Sequence, residues 1–362
     1  MRVLLLLIFA LSALPANAAN TPTESQTNVL AQVISIVSQS QRPVPDTNVT
    51  TTFQTLRAEL LEGPNKGDVV TVLNDYLVLS VGEKFYALHT VDAIDNVDNY
   101  TVSEPYRLPQ LLILIGIFIA VVILFGGWQG MRALLALTGS LIFIFYLLLP
   151  GILHDFSPVL VATGVASLII LLGSYVTHGF NKVTTAAVCG MIATIGITGA
   201  FAYFAIHWTH LSGFGSEETV SLNFDTGGKI NFISLLLGAV LIGLLGVLYD
   251  AAIGQAVAID ELVKAKPDAG RRYIFSRALR IGREHIGALV NTLAIAYVGV
   301  SLPLLLLFYN LSPDASIAVT LNREIFATEI VRILVGSIGV VLAVPITTAI
   351  GVYLLDRHNQ KN

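Results

Sequence analysis

The sequence is poor in charged residues, which account for only 12% of its 362 residues. Soluble domains carry about 25% charged residues. Hydrophobic residues make up 54% of the chain and the mean hydropathy is +0.76, so a single soluble core and intrinsic disorder are both excluded. The 20 Lys and Arg residues do not outnumber the 24 Asp and Glu residues, and nothing in this balance indicates a nucleic-acid partner.

The motifs of several enzyme and cofactor classes are also missing. A single cysteine, Cys189, excludes an internal disulfide framework and a cysteine-based metal cluster. The chain has no glycine-rich phosphate loop and no G-x-S-x-G elbow, which argues against ATP-driven transport by this chain alone and against a serine hydrolase. His207 and His210 have helical ligand spacing but no third ligand. We therefore expect no metal, no cofactor and no enzymatic activity.

The N-terminus has the pattern of a secretory signal peptide over residues 1–18. Arg2 precedes a 12-residue apolar stretch from Val3 to Leu14, and Ala16-Asn17-Ala18 offers a cleavage site. A membrane-spanning helix needs about 20 apolar residues, so we expect cleavage after Ala18. An uncleaved anchor is the alternative.

Polar residues dominate the next segment, which we divide into a linker over 19–44 and a small β-rich domain over 45–106. Short apolar runs alternate there with turn signals, a spacing typical of a small barrel or sandwich. The sequence predicts strands at Asn28–Val37, Val49–Leu61, Asp68–Leu73 and Lys84–His89.

The remainder of the chain, 107–362, reads as an α-helical polytopic membrane domain. It repeats an apolar run of about 20 residues followed by a short polar break. We predict seven transmembrane helices, at Leu108–Phe125, Leu134–Leu149, Pro158–Val176, Thr184–Ile206, Asn231–Ala251, Ile286–Phe308 and Ile330–Leu355.

The distribution of Lys and Arg predicts a plasma-membrane protein with an extracytoplasmic β-rich domain and a cytoplasmic C-terminus. In that orientation the outer loops carry only Lys229 and Arg323, with Arg332 just inside the last span. Seven of the eleven cytoplasmic Lys and Arg residues lie in a loop over 260–284, which lies against anionic headgroups or binds a cytoplasmic partner.

Ionisable residues at membrane depth are costly and mark the candidate sites. Asp250 lies in a stripe of small residues with Gly246 and Gly254, so we expect it to face a neighbouring helix. Glu261 returns to nearly the same face. Asp250 is interpreted either as a protonatable or cation-binding carboxylate or as one half of a structural ion pair.

Two further helices carry polar candidates. Glu284 and Asn291 recur at helical spacing in the sixth predicted span, as packing contacts or as part of a gate. Glu329 and Arg332, at the start of the last span, are three residues apart and are expected to form a local ion pair first and to contact a solute second.

Several ordered motifs resemble the YibE/F-like family of prokaryotic multi-pass membrane proteins. They follow one another along most of the chain after about residue 55: Gly63–Gly67, Gly127–Met131, Leu149–Leu153, Gly246–Gly254, Ile281–Thr292, Tyr297–Pro303 and Asn322–Arg332. The resemblance implies a signal-bearing polytopic plasma-membrane protein with a small extracytoplasmic domain, and it supplies no reaction or substrate. After Asp250 the family pattern continues into a Ser-containing stretch, which this chain lacks.

Two functions are compatible with these features. The first is a transporter or permease for an unknown solute or ion, coupled to protons or cations through Asp250. The second is a scaffold or sensor in the lipid bilayer, whose β-rich domain binds an envelope protein and whose basic loop relays or anchors. We favour transport because membrane-depth polar residues cluster in the fifth to seventh spans. Neither reading requires or excludes a homo-oligomer.

Overall fold

A computed structural model describes residues 27–43, 50–91, 98–154, 156–310 and 316–355. The signal peptide predicted for residues 1–18 lies outside the described residues, as do Arg357 and Lys361 of the tail. The described chain divides into two compact units, with the boundary between Leu124 and Phe125. The first unit contains a β-barrel and the second is helical.

The N-terminal unit contains a closed five-stranded barrel. Its strands are β1 (Thr27–Pro43), β2 (Thr50–Leu60), β3 (Val69–Asn74), β4 (Lys84–Val91) and β5 (Asp98–Pro105). They are arranged in the order β1-β2-β3-β5-β4, and all neighbours are antiparallel except β3 and β5. This is the connectivity of an OB-type barrel.

The boundary between linker and barrel differs from the prediction. β1 lies inside the stretch 19–44 that was assigned to a linker, and it pairs with both β2 and β4. The predicted strand Asn28–Val37 covers the first part of β1, whereas the exposed and polar second half was not predicted as strand. β5 was not predicted, because its sequence lacks a run of apolar residues.

Alternating side chains fill the barrel interior. Leu56, Ala58, Val72, Phe85 and Ala87 are fully buried, and neighbouring positions such as Arg57 and Leu73 are exposed. The barrel therefore has a core of its own.

The helical part consists of ten α-helices and one π-helical turn in the described residues. The helices are α1 (Leu108–Phe143), α2 (Leu149–Leu153), α3 (Pro158–His178), α4 (Lys182–Trp208), α5 (Glu217–Asp225), α6 (Phe232–Ala265), α7 (Arg271–Val300), α8 (Leu302–Tyr309), α9 (Ile317–Leu321) and α10 (Glu324–Leu355). Side chains of Asn181, Ser216 and Asn231 accept backbone hydrogen bonds at the starts of α4, α5 and α6.

Within the described residues, five helices are long and apolar enough to cross a membrane, or six if the bent pair of α7 and α8 forms one span. The count is lower than the seven predicted because the first two predicted spans lie in one helical stretch of 46 residues, Leu108–Leu153. Gly127 interrupts the helical backbone of this stretch with a φ of 53° and a ψ of −136°. Glycine adopts this conformation without the steric cost of a side chain.

The basic segment 260–284 is not a loop. α6 continues to Ala265 and α7 begins at Arg271, so only five residues connect the two helices. The sixth predicted span, Ile286–Phe308, is not one continuous helix, because it is interrupted at Ser301 between α7 and α8.

The last helix, α10, packs against α4, α6 and α7. Small residues allow close approach: a Cβ added at Gly190 would lie 2.9 Å from the Cα of Thr347, and one at Gly339 would lie 2.8 Å from the Oγ1 of Thr198. On the face of α6 that points into this core, Leu241, Leu244 and Leu248 are fully buried. These contacts position the polar residues of α7 and α10.

Candidate functional site

A sharp bend separates α7 from α8. The two helix axes differ in direction by 73° across Ser301, and Pro303 in the first turn of α8 cannot continue the hydrogen-bond ladder of α7. The backbone N–H of Ser301 still donates to the carbonyl of Tyr297 at 3.0 Å. The bend leaves the Ser301 side chain free to contact another helix.

Ser301 contacts an ion pair on α10. Its Oγ donates to Oε2 of Glu329 at 3.0 Å, and Oε1 of Glu329 lies 3.0 Å from Nη1 of Arg332. The two charged side chains are only 20% and 23% exposed. The pair predicted from i, i+3 spacing is therefore formed, and it is joined to the helix break.

Polar atoms without partners surround this pair. Among the described residues, Tyr297 Oη, Thr328 Oγ1 and Arg332 Nε are buried and have no hydrogen-bond partner. The Arg332 guanidinium lies 5.9 Å from the centre of the Tyr297 ring, and the Tyr297 hydroxyl rests against Gly243 of α6. Buried polar groups are normally paired, so unpaired donors and acceptors grouped together indicate room for a polar ligand or water.

A cavity of about 590 Å³ opens beside these groups. Its walls come from α6, from the α7–α8 break, from α10, and from the loop that leads into α5. The lining includes Glu217, Glu218, Ala239, Ser301, Pro303, Thr328, Glu329 and Arg332. This volume is within the range of small-molecule sites.

The loop over the cavity is held by Glu324 at the start of α10. Its carboxylate accepts hydrogen bonds from the backbone N–H groups of Ser212, Gly213 and Phe214, at 2.8, 2.8 and 3.1 Å, and from the Ser212 hydroxyl. A hydrogen bond with the Ser216 side chain lowers the pKa of Glu218, a cavity residue, and so favours its carboxylate form.

Sequence reasoning did not select Glu324 or Thr328 as site residues. The roles of both depend on partners distant in sequence, and Ser212 lies 112 residues from Glu324. The Asn322-Arg323-Glu324 motif gave the only signal that could have identified Glu324.

Asp250 lies on α6 but does not line the cavity. It is exposed, and a Cβ added at Gly246 or Gly254 would meet nothing within 4 Å. The expectation that this stripe packs against a neighbouring helix is therefore not met among the described residues. The larger leucines on the other side of α6 bury more apolar surface, so that side enters the core.

The other three candidates are also exposed. Glu261 is 65% exposed and pairs with Lys264 at 2.8 Å, within its own helix. Glu284 and Asn291 lie on an open face of α7. The six candidates therefore do not form one cluster, and within the described residues only Glu329 and Arg332 contact each other.

No group of three or more His, Cys, Asp or Glu side chains in the described part of the chain is arranged to hold a metal ion. His207, one of the two histidines considered from sequence, has its Nδ1 2.8 Å from the carbonyl of Tyr203.

Comparison with known proteins identifies a family. A family model described as YibE/F-like protein matches residues 114–357, about two thirds of the chain, including the cavity and the ion pair. No curated protein and no solved structure matches the chain significantly. The chain belongs to the YibE/F-like family.

Proposed function

We propose that this protein is a membrane transporter or permease whose solute site is the cavity at the α7–α8 break. The observation that carries the proposal is the group of unpartnered polar atoms on Tyr297, Thr328 and Arg332 beside the Glu329–Arg332 pair. Polar groups at membrane depth are expensive unless they serve a path for ions or solutes.

The helix break supports the same function. Interrupted helices at membrane depth occur in transporters where the backbone lines a cavity, and their ends help to bind solutes. Here the break places the Ser301 hydroxyl within hydrogen-bond distance of the Glu329 carboxylate. Three glutamates and one arginine line the cavity, so a solute that carries a positive group fits it best.

The topology that we propose has seven crossings. The stretch Leu108–Leu153 has 46 residues, more than twice the roughly 20 residues that one crossing needs. Gly127 divides it into two segments that can each span the bilayer. The protein lies in the plasma membrane with the barrel extracytoplasmic and the C-terminus cytoplasmic, and the cavity opens outward.

Asp250 is the coupling group of this proposal. It follows Ala239, a cavity residue, by 11 positions on α6, or about 16 Å along the helix. On this scheme protons or cations bind at Asp250 and the solute binds at the cavity.

A vesicle assay tests the proposal. The protein is reconstituted in vesicles that contain a pH-sensitive dye, and an imposed pH gradient is challenged with a panel of amines, amino acids, organic anions and metal cations. We expect Arg332→Gln to reduce the solute-dependent signal by about tenfold or more, because a hydrogen bond to a charged group contributes about 1.5–3 kcal/mol. Asp250→Asn should abolish coupling to the proton gradient.

Arg323→Gln is the matched control, since Arg323 is exposed and lies nine residues before Arg332. It should behave as the wild type at equal protein level. Equal activity of Arg332→Gln and the control would remove the cavity from the solute path. A wild-type protein that responds to no member of the panel would count against transport of those classes.

The alternative function is a scaffold or sensor without transport. The barrel favours it, because it is a compact unit with its own buried core. In that case the barrel binds an envelope protein and the cations of α7 contact a cytoplasmic partner or the headgroups. Deleting the barrel, residues 27–105, would then abolish the cellular phenotype, whereas Arg332→Gln and Asp250→Asn would leave it intact.

A further inference from the structure

Hydrogen bonds from buried side chains hold the loop between β3 and β4, residues 75–83, in a defined conformation. The buried side chain of Gln54 accepts from the N–H of Leu79 at 2.9 Å and donates to its carbonyl at 3.1 Å. Asn74, also buried, donates to Gln54 at 2.8 Å and to the carbonyl of Leu77 at 2.6 Å. These bonds hold the side chain of Leu79, which is only 2% exposed, in the core at this end of the barrel.

The same loop holds apolar side chains outward. Tyr76 and Val78 are each 54% exposed and Val81 is 62% exposed, and residues 76–82 contain no charged residue. The Gly82 N–H donates to the carbonyl of Val33 at 2.8 Å, which fixes the far side of the loop to β1. A loop fixed at both sides by hydrogen bonds cannot turn these side chains inward.

The loop lies at the end of the barrel from which α1 departs. The N–H of Tyr106 donates to the carbonyl of Lys84 at 3.1 Å, so the chain is still bonded to the barrel two residues before Leu108. Two residues span at most about 7 Å. A cleft lined by both Val78 and Leu111 confirms that the loop and the first turn of α1 border the same space.

α1 is apolar and exposed from its first turn. The most apolar window of the stretch Leu108–Leu153 has a mean hydropathy of 2.9, and none of that window is buried. Such a surface is covered by lipid, and the headgroup layer on each side of the hydrocarbon core is about 5–8 Å thick. Arg107, bonded to Glu104 at 2.6 Å and to Tyr76, directly precedes α1, and aromatic and basic residues are the ones that anchor membrane proteins at the interface.

We infer that the β3–β4 loop is a membrane-contacting surface, with Tyr76, Val78 and Val81 inserted into the interfacial layer of the bilayer beside α1. The surface takes lipid through its apolar side chains. Two cations border it: Arg107 is paired with Glu104, and Lys84 is exposed. The inserted side chains themselves carry no charge, so we expect contact to be independent of anionic lipid. The loop thereby holds the barrel against the membrane.

Spin labels in the full-length protein test this inference. Single cysteines replace Val78 or Val81 in a Cys189→Ser background, and the labelled protein is reconstituted in bilayers of phosphatidylcholine with or without phosphatidylglycerol. Asn99→Cys is the matched control, because Asn99 is exposed and lies six residues before Pro105 on β5, about 20 Å from that end of the barrel. Accessibility to oxygen is compared with accessibility to a water-soluble nickel complex.

We expect the ratio of oxygen to nickel accessibility to be several-fold higher at positions 78 and 81 than at 99, in both lipid compositions. Equal ratios at the three positions would overturn the inference. A high ratio only with phosphatidylglycerol would show a charge-driven contact and also overturn it. Spin–spin broadening between labels at 78 or 81 would place a second copy on the loop instead of lipid.

Discussion

The barrel and the helical unit differ in how far their buried polar side chains are hydrogen-bonded. In the barrel, the amides of Gln54 and Asn74 are buried and make several hydrogen bonds each, all to groups of the barrel itself. In the helical unit, buried polar atoms of Tyr297, Thr328 and Arg332 have no partner among the described residues. Among the described residues, the buried amides of the barrel find their partners within it, whereas the helical unit has unpartnered polar atoms beside a cavity.

The difference has a physical origin. An amide has donors and an acceptor at fixed angles, and leaving one unpaired in a core costs about 1–3 kcal/mol. A threonine hydroxyl in a helix can instead bond to its own backbone, as Thr194 does to the carbonyl of Gly190 at 2.7 Å. Thr328 does not use this option, and neither do Thr163, Thr198 and Thr347, but of these four only Thr328 lines the cavity.

The largest expected effect concerns the amide network of the barrel. Gln54→Leu leaves the N–H and carbonyl of Leu79 and one Asn74 donor without their partner, which costs about 3–4 kcal/mol of local stability. Hydrogen exchange of residues 75–83 in the full-length protein should accelerate about a hundredfold or more. Gln39→Leu, which removes one exposed partner of Gln54, is the control and should accelerate exchange less than tenfold.

The next effect concerns the ion pair beside the cavity. Arg332→Met leaves the half-buried Glu329 carboxylate without its cation and should lower stability by about 2–3 kcal/mol. The double variant Glu329→Leu, Arg332→Met should recover most of this loss, because apolar side chains need no counter-charge. The unfolding midpoint in detergent measures both. A double variant as unstable as Arg332→Met would show that the pair itself stabilises the fold.

The smallest effect has the opposite sign. Thr328→Val removes an unpartnered buried hydroxyl with little change in volume, so stability should stay constant or rise by up to about 1 kcal/mol. Thr194→Val, which removes a satisfied hydroxyl, should lower stability by about 0.5–1 kcal/mol. If Thr328→Val destabilises more than Thr194→Val, the Thr328 hydroxyl has a partner and the contrast between the two units weakens.

Much of the fold was predictable from local sequence. The four predicted strands overlap β1 to β4, since apolar runs between turn signals define them. β1 was cut short because its outer half is polar, and β5 was missed because pairing, rather than composition, makes it a strand. The apolar helices were identified by length, but the stretch Leu108–Leu153 joins two predicted spans.

The candidate site was predicted only in part. The Glu329–Arg332 pair follows from spacing along one helix, which sequence alone can give. Ser301 and Glu324 act through partners on other elements, and no local pattern reports such contacts. Asp250 was placed on the packed side of α6 by its small neighbours, although burial of leucines determines which side packs.

The sequence by itself determined that this is a membrane protein and where its polar N-terminal segment gives way to apolar helices. It also determined which charged pair forms at the start of the last helix. These properties depend on composition and on spacing within one element. The tertiary structure decided that Ser301, Thr328 and Arg332 line one cavity, that Asp250 lies apart from it, and that the β3–β4 loop faces the start of α1. Such placements depend on competition among whole helix faces for burial, which is settled only when all elements pack together.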